Sequence, residues 1–193
     1  MTKTMPITNQ NTEFTPIISE KTYSRVSTLL KIAVFLLVFF AWYAVLGIAL
    51  VPSESMEPTL NVGDRFAYTY ATASDLTYDD IVVFFPFAEM DKPVSNGVDA
   101  LIRIRMQKDT VFVKRIIGLP GDVLAMKDGY VYRNGEKLDP DYIAEDMITN
   151  GQTYVVPEGT IFCMGDNRNN SNDSRYMGAY PMNNFFGKLV AHF

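Results

Sequence analysis

From Ile32 to Val51 the chain reads IAVFLLVFFAWYAVLGIALV, 20 residues without a charge. At about 1.5 Å per residue, a helix of that length reaches roughly 30 Å, the thickness of a bilayer's hydrocarbon core. A soluble helix is seldom apolar on every face. A cleaved leader has a shorter apolar core followed by small residues, and IALVPSES makes a poor cleavage site. The reading is therefore a membrane anchor over residues 32–51. Trp42 and Tyr43 sit mid-run, so no aromatic belt marks an interface. Lys3, Lys21, Arg25 and Lys31 outnumber Glu13 and Glu20 ahead of the run. The positive-inside rule then places the N-terminus in the cytoplasm and residues 52–193 outside. Residues 1–31 read as a cytoplasmic tail, mostly disordered and rich in Thr, Asn and Glu near its start.

Several function classes are excluded early. The net charge of −5 argues against nucleic acid as a partner. Cys163 is the only cysteine and His192, next to last, the only histidine. No intrachain disulfide, cysteine zinc site or multi-histidine metal site is available, and a serine–histidine triad is close to excluded. No cofactor is called for.

Beyond the anchor the periodicity turns strand-like. Asp80–Phe85, Ala100–Met106, Thr110–Gly118, Val123–Leu138 and Thr160–Asp166 are rich in β-branched and aromatic residues. Turn signals separate them at Pro120-Gly121-Asp122, Asp128-Gly129 and Asn134-Gly135. Alternation in ALIRIRM predicts a strand wet on one face, and Glu89–Asp99 reads as an exposed loop. Phe84, Phe85 and Phe87 around Pro86 read equally as core or as an apolar skirt dipping into lipid. The expectation is a mainly β, antiparallel domain over 52–193 with little helix.

Three stretches suggest chemistry, and each has a bland reading. VPSESMEPTL (Val51–Leu60) holds two serines braced by Pro52 and Pro58; alone, it also suits a stiff linker. A serine needs a base, and without histidine the candidates are lysines and carboxylates. Lys92, Lys108, Lys127 and Lys137 flank acids or turns. Lys114 instead lies in TVFVKRIIGLPGD, sharing a strand face with Phe112 and Ile116, whereas Arg115 shares the other with Val113 and Ile117. Burial would favour a neutral amine there, although an edge-strand lysine can also snorkel to water. Third, MGDNRNNSNDSR (Met164–Arg175) follows a strand. It is either a solvated loop or one locked by alternating Asp166, Arg168, Asp173 and Arg175.

Taken in order behind an anchor, these segments resemble the type I signal peptidases, membrane-bound serine–lysine proteases. PSESMEPTL is similar to the family's nucleophile box, DDIVVF to a strand box, VKRIIGLPGD to the lysine box and GDNRNNSNDSR to the polar box. The compact length looks like that of Gram-positive members. The resemblance implies an antiparallel β-sheet or partial-barrel catalytic domain behind one transmembrane helix. It implies Ser55 as nucleophile and Lys114 as general base. It also implies an oxyanion hole from the Ser55 N–H and the Ser53 hydroxyl, Ser171 as the residue that orients the lysine, and Asp166, Arg168, Asp173 and Arg175 as a supporting network. Met56 and Ile81 are expected to line shallow pockets for small substrate residues. Implied partners are signal-peptide-bearing preproteins, the lipid bilayer and a nearby secretion translocon. Two departures stand out: Tyr78-Asp79-Asp80 where Arg-Gly-Asp is frequent, and Glu54 between the serines where a small residue is common. The competing readings are a self-cleaving protein of the SOS-repressor type, a sortase-like transpeptidase using Cys163, His192 and Arg168, and a tethered β binding module.

Overall fold

The computed structural model describes residues 20–87, 93, 97–106, 111–148 and 151–193. The chain divides between Phe40 and Ala41 into two units. In the first lies most of helix α1 (Glu20–Val45). Its segment Lys21–Phe39, with mean hydropathy 1.5, is long and apolar enough to cross a membrane. Leu29, Leu30, Ile32, Val34, Phe35, Leu37 and Phe39 are all exposed, as a helix facing hydrocarbon requires. Residues 1–19, and with them most of the expected tail, lie outside the described residues.

The helix starts earlier and stops sooner than the apolar run. Leu46–Leu50 forms a strand, β1, rather than the last turns of the anchor. Gly47 explains the change: a side chain there would overlap the Tyr68 ring on the neighbouring strand. Ala49 packs on the core while Ile48 and Leu50 face out, the period-2 pattern of a half-buried strand.

The remaining elements are β2 (Arg65–Tyr70), β3 (Ile81–Phe84), α2 (Gly97–Met106), β4 (Phe112–Gly118), β5 (Val123–Lys127), β6 (Tyr130–Arg133), β7 (Glu136–Leu138), β8 (Thr153–Val155), β9 (Thr160–Met164), α3 (Ser174–Met177), β10 (Tyr180–Pro181) and β11 (Phe185–His192). One sheet runs β1-β2-β11-β3-β4-β9-β10 and a smaller one β7-β6-β5-β8. Their pairings are antiparallel. The expected β architecture is therefore present, and the sheets are open rather than closed.

Three apolar clusters hold it. Ile81 and Val83 point into one with Met56, Leu60 and Phe66; Val82 and Phe84 point into a second with Ile116, Ile161 and Cys163. β3 is thus buried on both faces, which is why IVVF reads as a continuous apolar run. Ile117, Leu124, Phe162 and Met164 form the third cluster, under the small sheet. Phe84 and Phe85 are fully buried core, and only Phe87 is exposed.

One expected strand is a helix. Ala100–Met106 falls in α2, where Asp99 and Arg103, one turn apart, make a bidentate pair at 2.9 and 3.1 Å. Asp99 also lies in the first turn, where the helix dipole favours a carboxylate. Short apolar runs satisfy both periods, and here the helical one wins. Of the expected loop Glu89–Asp99, residues 89–92 and 94–96 lie outside the described residues, and Gly97–Asp99 are the first residues of α2 rather than loop. All three predicted turns are present, with φ of 54° and 83° at Asp128-Gly129, 53° and 88° at Asn134-Gly135, and 86° at Gly121, where the Asp122 N–H donates to the Leu119 carbonyl at 3.1 Å.

Candidate active site

Ser55 rides on a 3₁₀ turn, Glu54–Met56, between β1 and β2. The turn is pinned from below: Met56 and Leu60 are buried, and the Leu60 N–H donates to the Met56 carbonyl at 2.9 Å. At its base Val51 bonds Asp64 and Gly63 in the style of a closed loop. Ser55 is left half-exposed at the surface of a buried anchor. Ser53, one residue before the turn, has extended backbone, and its hydroxyl lies 3.3 Å from Ser55 Oγ. The Ser55 N–H belongs to the first turn, where amides have no partner within the helix.

Lys114 comes from the middle of β4, opposite Val82 of β3. It is 4% exposed, and its Nζ donates to Ser55 Oγ at 2.6 Å. The Phe112 ring, on the same strand face, lies 5.3 Å from Nζ. Burial pushes the Lys114 ammonium down from 10.5 to about 8. Asp173, Cys163 and Asp166 pull the other way, and Arg175 adds to the drop. Desolvation dominates, because the ammonium is almost wholly buried and loses its hydration. The snorkelling alternative does not describe this lysine.

The carboxylates nearest the site are already engaged. Asp166 accepts from Arg115 Nε and Nη2 at 2.8 and 2.6 Å and from the Thr59 hydroxyl at 2.6 Å. Asp173 accepts from Arg175 Nε and Nη2, both at 2.8 Å, and from the Gly165 N–H at 3.0 Å. Arg115 additionally donates to the Asp79 carbonyl and stacks on Tyr142 with 3.8 Å to the ring centre. Tyr142 in turn donates to Asp79. Arg168 donates to the Gly165 carbonyl at 3.1 Å. These are charge-assisted, geometrically specific bonds, so the polar stretch 164–175 is an ordered frame.

That frame grips the turn that carries Ser55. The Asn167 N–H donates to the Ser55 carbonyl at 3.2 Å, and its amide donates to the Glu54 carbonyl at 3.1 Å. Gly165 permits the approach, since a Cβ there would lie 2.3 Å from both the Ser55 carbonyl oxygen and Ser171 Oγ. Ser171 Oγ is buried and makes no hydrogen bond to Lys114 or to any other group among the described residues. A cleft of about 600 Å³ opens over the pair. Its apolar wall includes Val51, Met56, Leu60, Val62, Val111 and Val113. Ile81 packs in the core beside Met56 and is not among the lining residues.

A family model described as "Signal peptidase, peptidase S26" matches residues 25–193. The chain belongs to this signal peptidase family. A probable signal peptidase I-1 of Synechocystis sp. is 36% identical over 146 residues, which cover 74% of this chain and 68% of the relative. A second Synechocystis protein, probable signal peptidase I-2, is 39% identical, covering 74% of this chain and 61% of the relative. A crystal structure of a signal peptidase I from Enterococcus faecalis is 29% identical, covers 60% of this chain and 97% of that one, and gives a TM-score of 0.45.

Within a peptidase family of this type, the remaining candidates fall into place. Cys163 is fully buried, and burial pushes its thiol well above the ordinary value, so no thiolate forms for a sortase-like reaction. His192 is an exposed residue at the end of β11, paired in register with Phe66; the C-terminal segment is a strand rather than a frayed end. Sequence reasoning missed Arg115, Thr59, Asn167, Asn170, Tyr142 and Gly165. Arg115 carried a signal, because two adjacent cations on one buried strand demand two different solutions. Tyr142, far away in sequence on an unremarkable loop, carried none.

Proposed function

We propose that the chain removes N-terminal signal peptides from secreted preproteins, with Ser55 as nucleophile and Lys114 as general base. The observation that carries the assignment is the 2.6 Å contact between Lys114 Nζ and Ser55 Oγ at a lysine buried among apolar groups. A lysine near 8 is neutral in about one molecule in ten at pH 7, a few hundredfold more often than one at 10.5. Neutral Lys114 accepts the Ser55 proton as Oγ attacks the scissile carbonyl, then returns it to the leaving amine. The mature protein departs with that amine and the signal peptide stays esterified to Ser55. A water deprotonated by the same lysine cleaves the ester and restores Ser55 Oγ–H. The Ser55 N–H and Ser53 hydroxyl stabilise the tetrahedral oxyanion by about 3–4 kcal/mol per donor.

The sheet supports a substrate alignment. β9 meets β4 only from Arg115 onward, so among the described residues no strand pairs with that edge of β4 beside Phe112–Lys114, where an extended peptide can add. The apolar wall beside it suits small substrate side chains. In this reading Ser171 orients the lysine through a hydroxyl that is buried and available. Asp166, Arg168, Asp173 and Arg175 act as supports. α1 anchors the enzyme, residues 52–193 lie outside the cytoplasm beside the lipid surface and the translocon, and signal peptides arrive already inserted in that membrane.

The test is processing of a preprotein by purified full-length protein in vesicles. Wild type is expected to release the mature protein, and Ser55→Ala and Lys114→Ala to lose the activity. Full processing by either variant overturns the assignment.

A further inference from the structure

Glu54 stands between the two serines, and its side chain lines the cleft. Apart from Lys114, it is the only ionisable residue lining the cleft among the described residues. It is exposed to the cleft, and one carboxylate oxygen accepts from the Asn170 amide at 2.8 Å. The Asn167 amide holds the Glu54 carbonyl at 3.1 Å. Asn170 therefore holds one carboxylate oxygen and Asn167 the backbone beneath it, and among the described residues the second oxygen has no hydrogen-bond partner. In the molecules that react, Lys114 is neutral, and among the described lining residues Glu54 is then the side-chain charge beside the substrate.

We propose that Glu54 is a specificity-determining residue that selects preproteins with a basic side chain near the scissile bond and disfavours those with an acidic one. The inference rests on the peptidase reading given above. An extended peptide bound beside Ser55 brings successive side chains past the free carboxylate oxygen, and charge complementarity there discriminates without touching the reacting atoms. A solvated pair is worth roughly 0.2–1 kcal/mol, so the selection is about 1.4- to fivefold in kcat/KM for each charge changed. Salt weakens it, because an exposed pair is screened within about 8–10 Å at physiological strength.

The experiment uses full-length enzyme and a set of signal-peptidase peptides in which one Lys, Gln or Glu is moved through each position flanking the cleavage site. At one position or more, wild type is expected to prefer Lys over Glu by about fivefold, and the preference is expected to shrink at about 0.5 M salt. Glu54→Gln should collapse that ratio toward one, and Glu54→Asp should retain most of it. A purely structural role would scale the cleavage of all three peptides together and leave the ratio intact. Cleavage with no charge preference at any position, or a preference that survives Glu54→Gln, overturns the proposal. Failure to cleave any peptide would instead count against the peptidase reading itself.

Discussion

Lys114 and Arg115 are neighbours on one strand, both buried, and they are treated in opposite ways. Arg115 receives two bonds to Asp166, a carbonyl, and an aromatic face. Lys114 receives a hydroxyl and a phenyl ring. A guanidinium cannot shed its charge, so burying it demands a complete shell; an amine can shed its proton, so burying it without a counterion produces a base. The two solutions depend on each other. Asp166 and Asp173 both raise the Lys114 value, but each is already paired, with Arg115 and Arg175 respectively, and desolvation outweighs them.

The largest way to break this contrast is to unpair Arg115. Asp166→Ala strands a guanidinium whose side chain is only 10% exposed. It is expected to destabilise the domain by about 3–5 kcal/mol in denaturant unfolding. The double variant Arg115→Met/Asp166→Leu should be less damaged than the single one, because no unpaired charge remains. A double variant as unstable as Asp166→Ala would mean that the pair matters through shape alone.

Next in size is Ser53→Ala. Its hydroxyl lies 3.3 Å from Ser55 Oγ, and as an oxyanion donor its loss should lower kcat by about 10²–10³. Stability should hardly change, since Ser53 is exposed. Unchanged kcat would remove Ser53 from the oxyanion hole.

Folding stability gives a third and smaller test, on the lysine side. Below about pH 8 the folded protein holds Lys114 charged in a dry site. Between about 8 and 10.5 it holds the neutral amine while the unfolded chain stays protonated, so stability rises with pH through that window. The gain approaches about 3 kcal/mol. Lys114→Met should be free of it, and the wild-type-minus-variant difference should therefore climb between those values. A flat difference would show that the lysine is not desolvated.

The distance between what sequence and structure each disclose has physical causes. Anchor, strands and tight turns were legible because hydropathy and turn chemistry are local: Asn134-Gly135 requires the φ it has. The anchor's lower end was not, because Leu46–Leu50 is as apolar as the helix before it, and pairing with β2 decides its fate. ALIRIRM was misread because two periods fit it. At the site, Ser55 and Lys114 were legible from motif order, and the involvement of Asp166 and Asp173 from sign alternation. Asp173 does pair with Arg175, as that alternation suggested, but the partner of Asp166 was not legible. Alternation suggested that the four charges pair among themselves, yet Asp166 reaches back to Arg115 on β4 and to Thr59 beyond the nucleophile turn. Such partners are set by tertiary contact, and nothing local announces them.

The most direct test of the neutral-lysine account is the pH dependence of kcat/KM for signal-peptide cleavage by the full-length enzyme. The rate should climb about tenfold per pH unit on the acid side and level off above an apparent value of about 8, where Lys114 has lost its proton. A limb that continues to rise toward 10.5, or no acid limb at all, would contradict it.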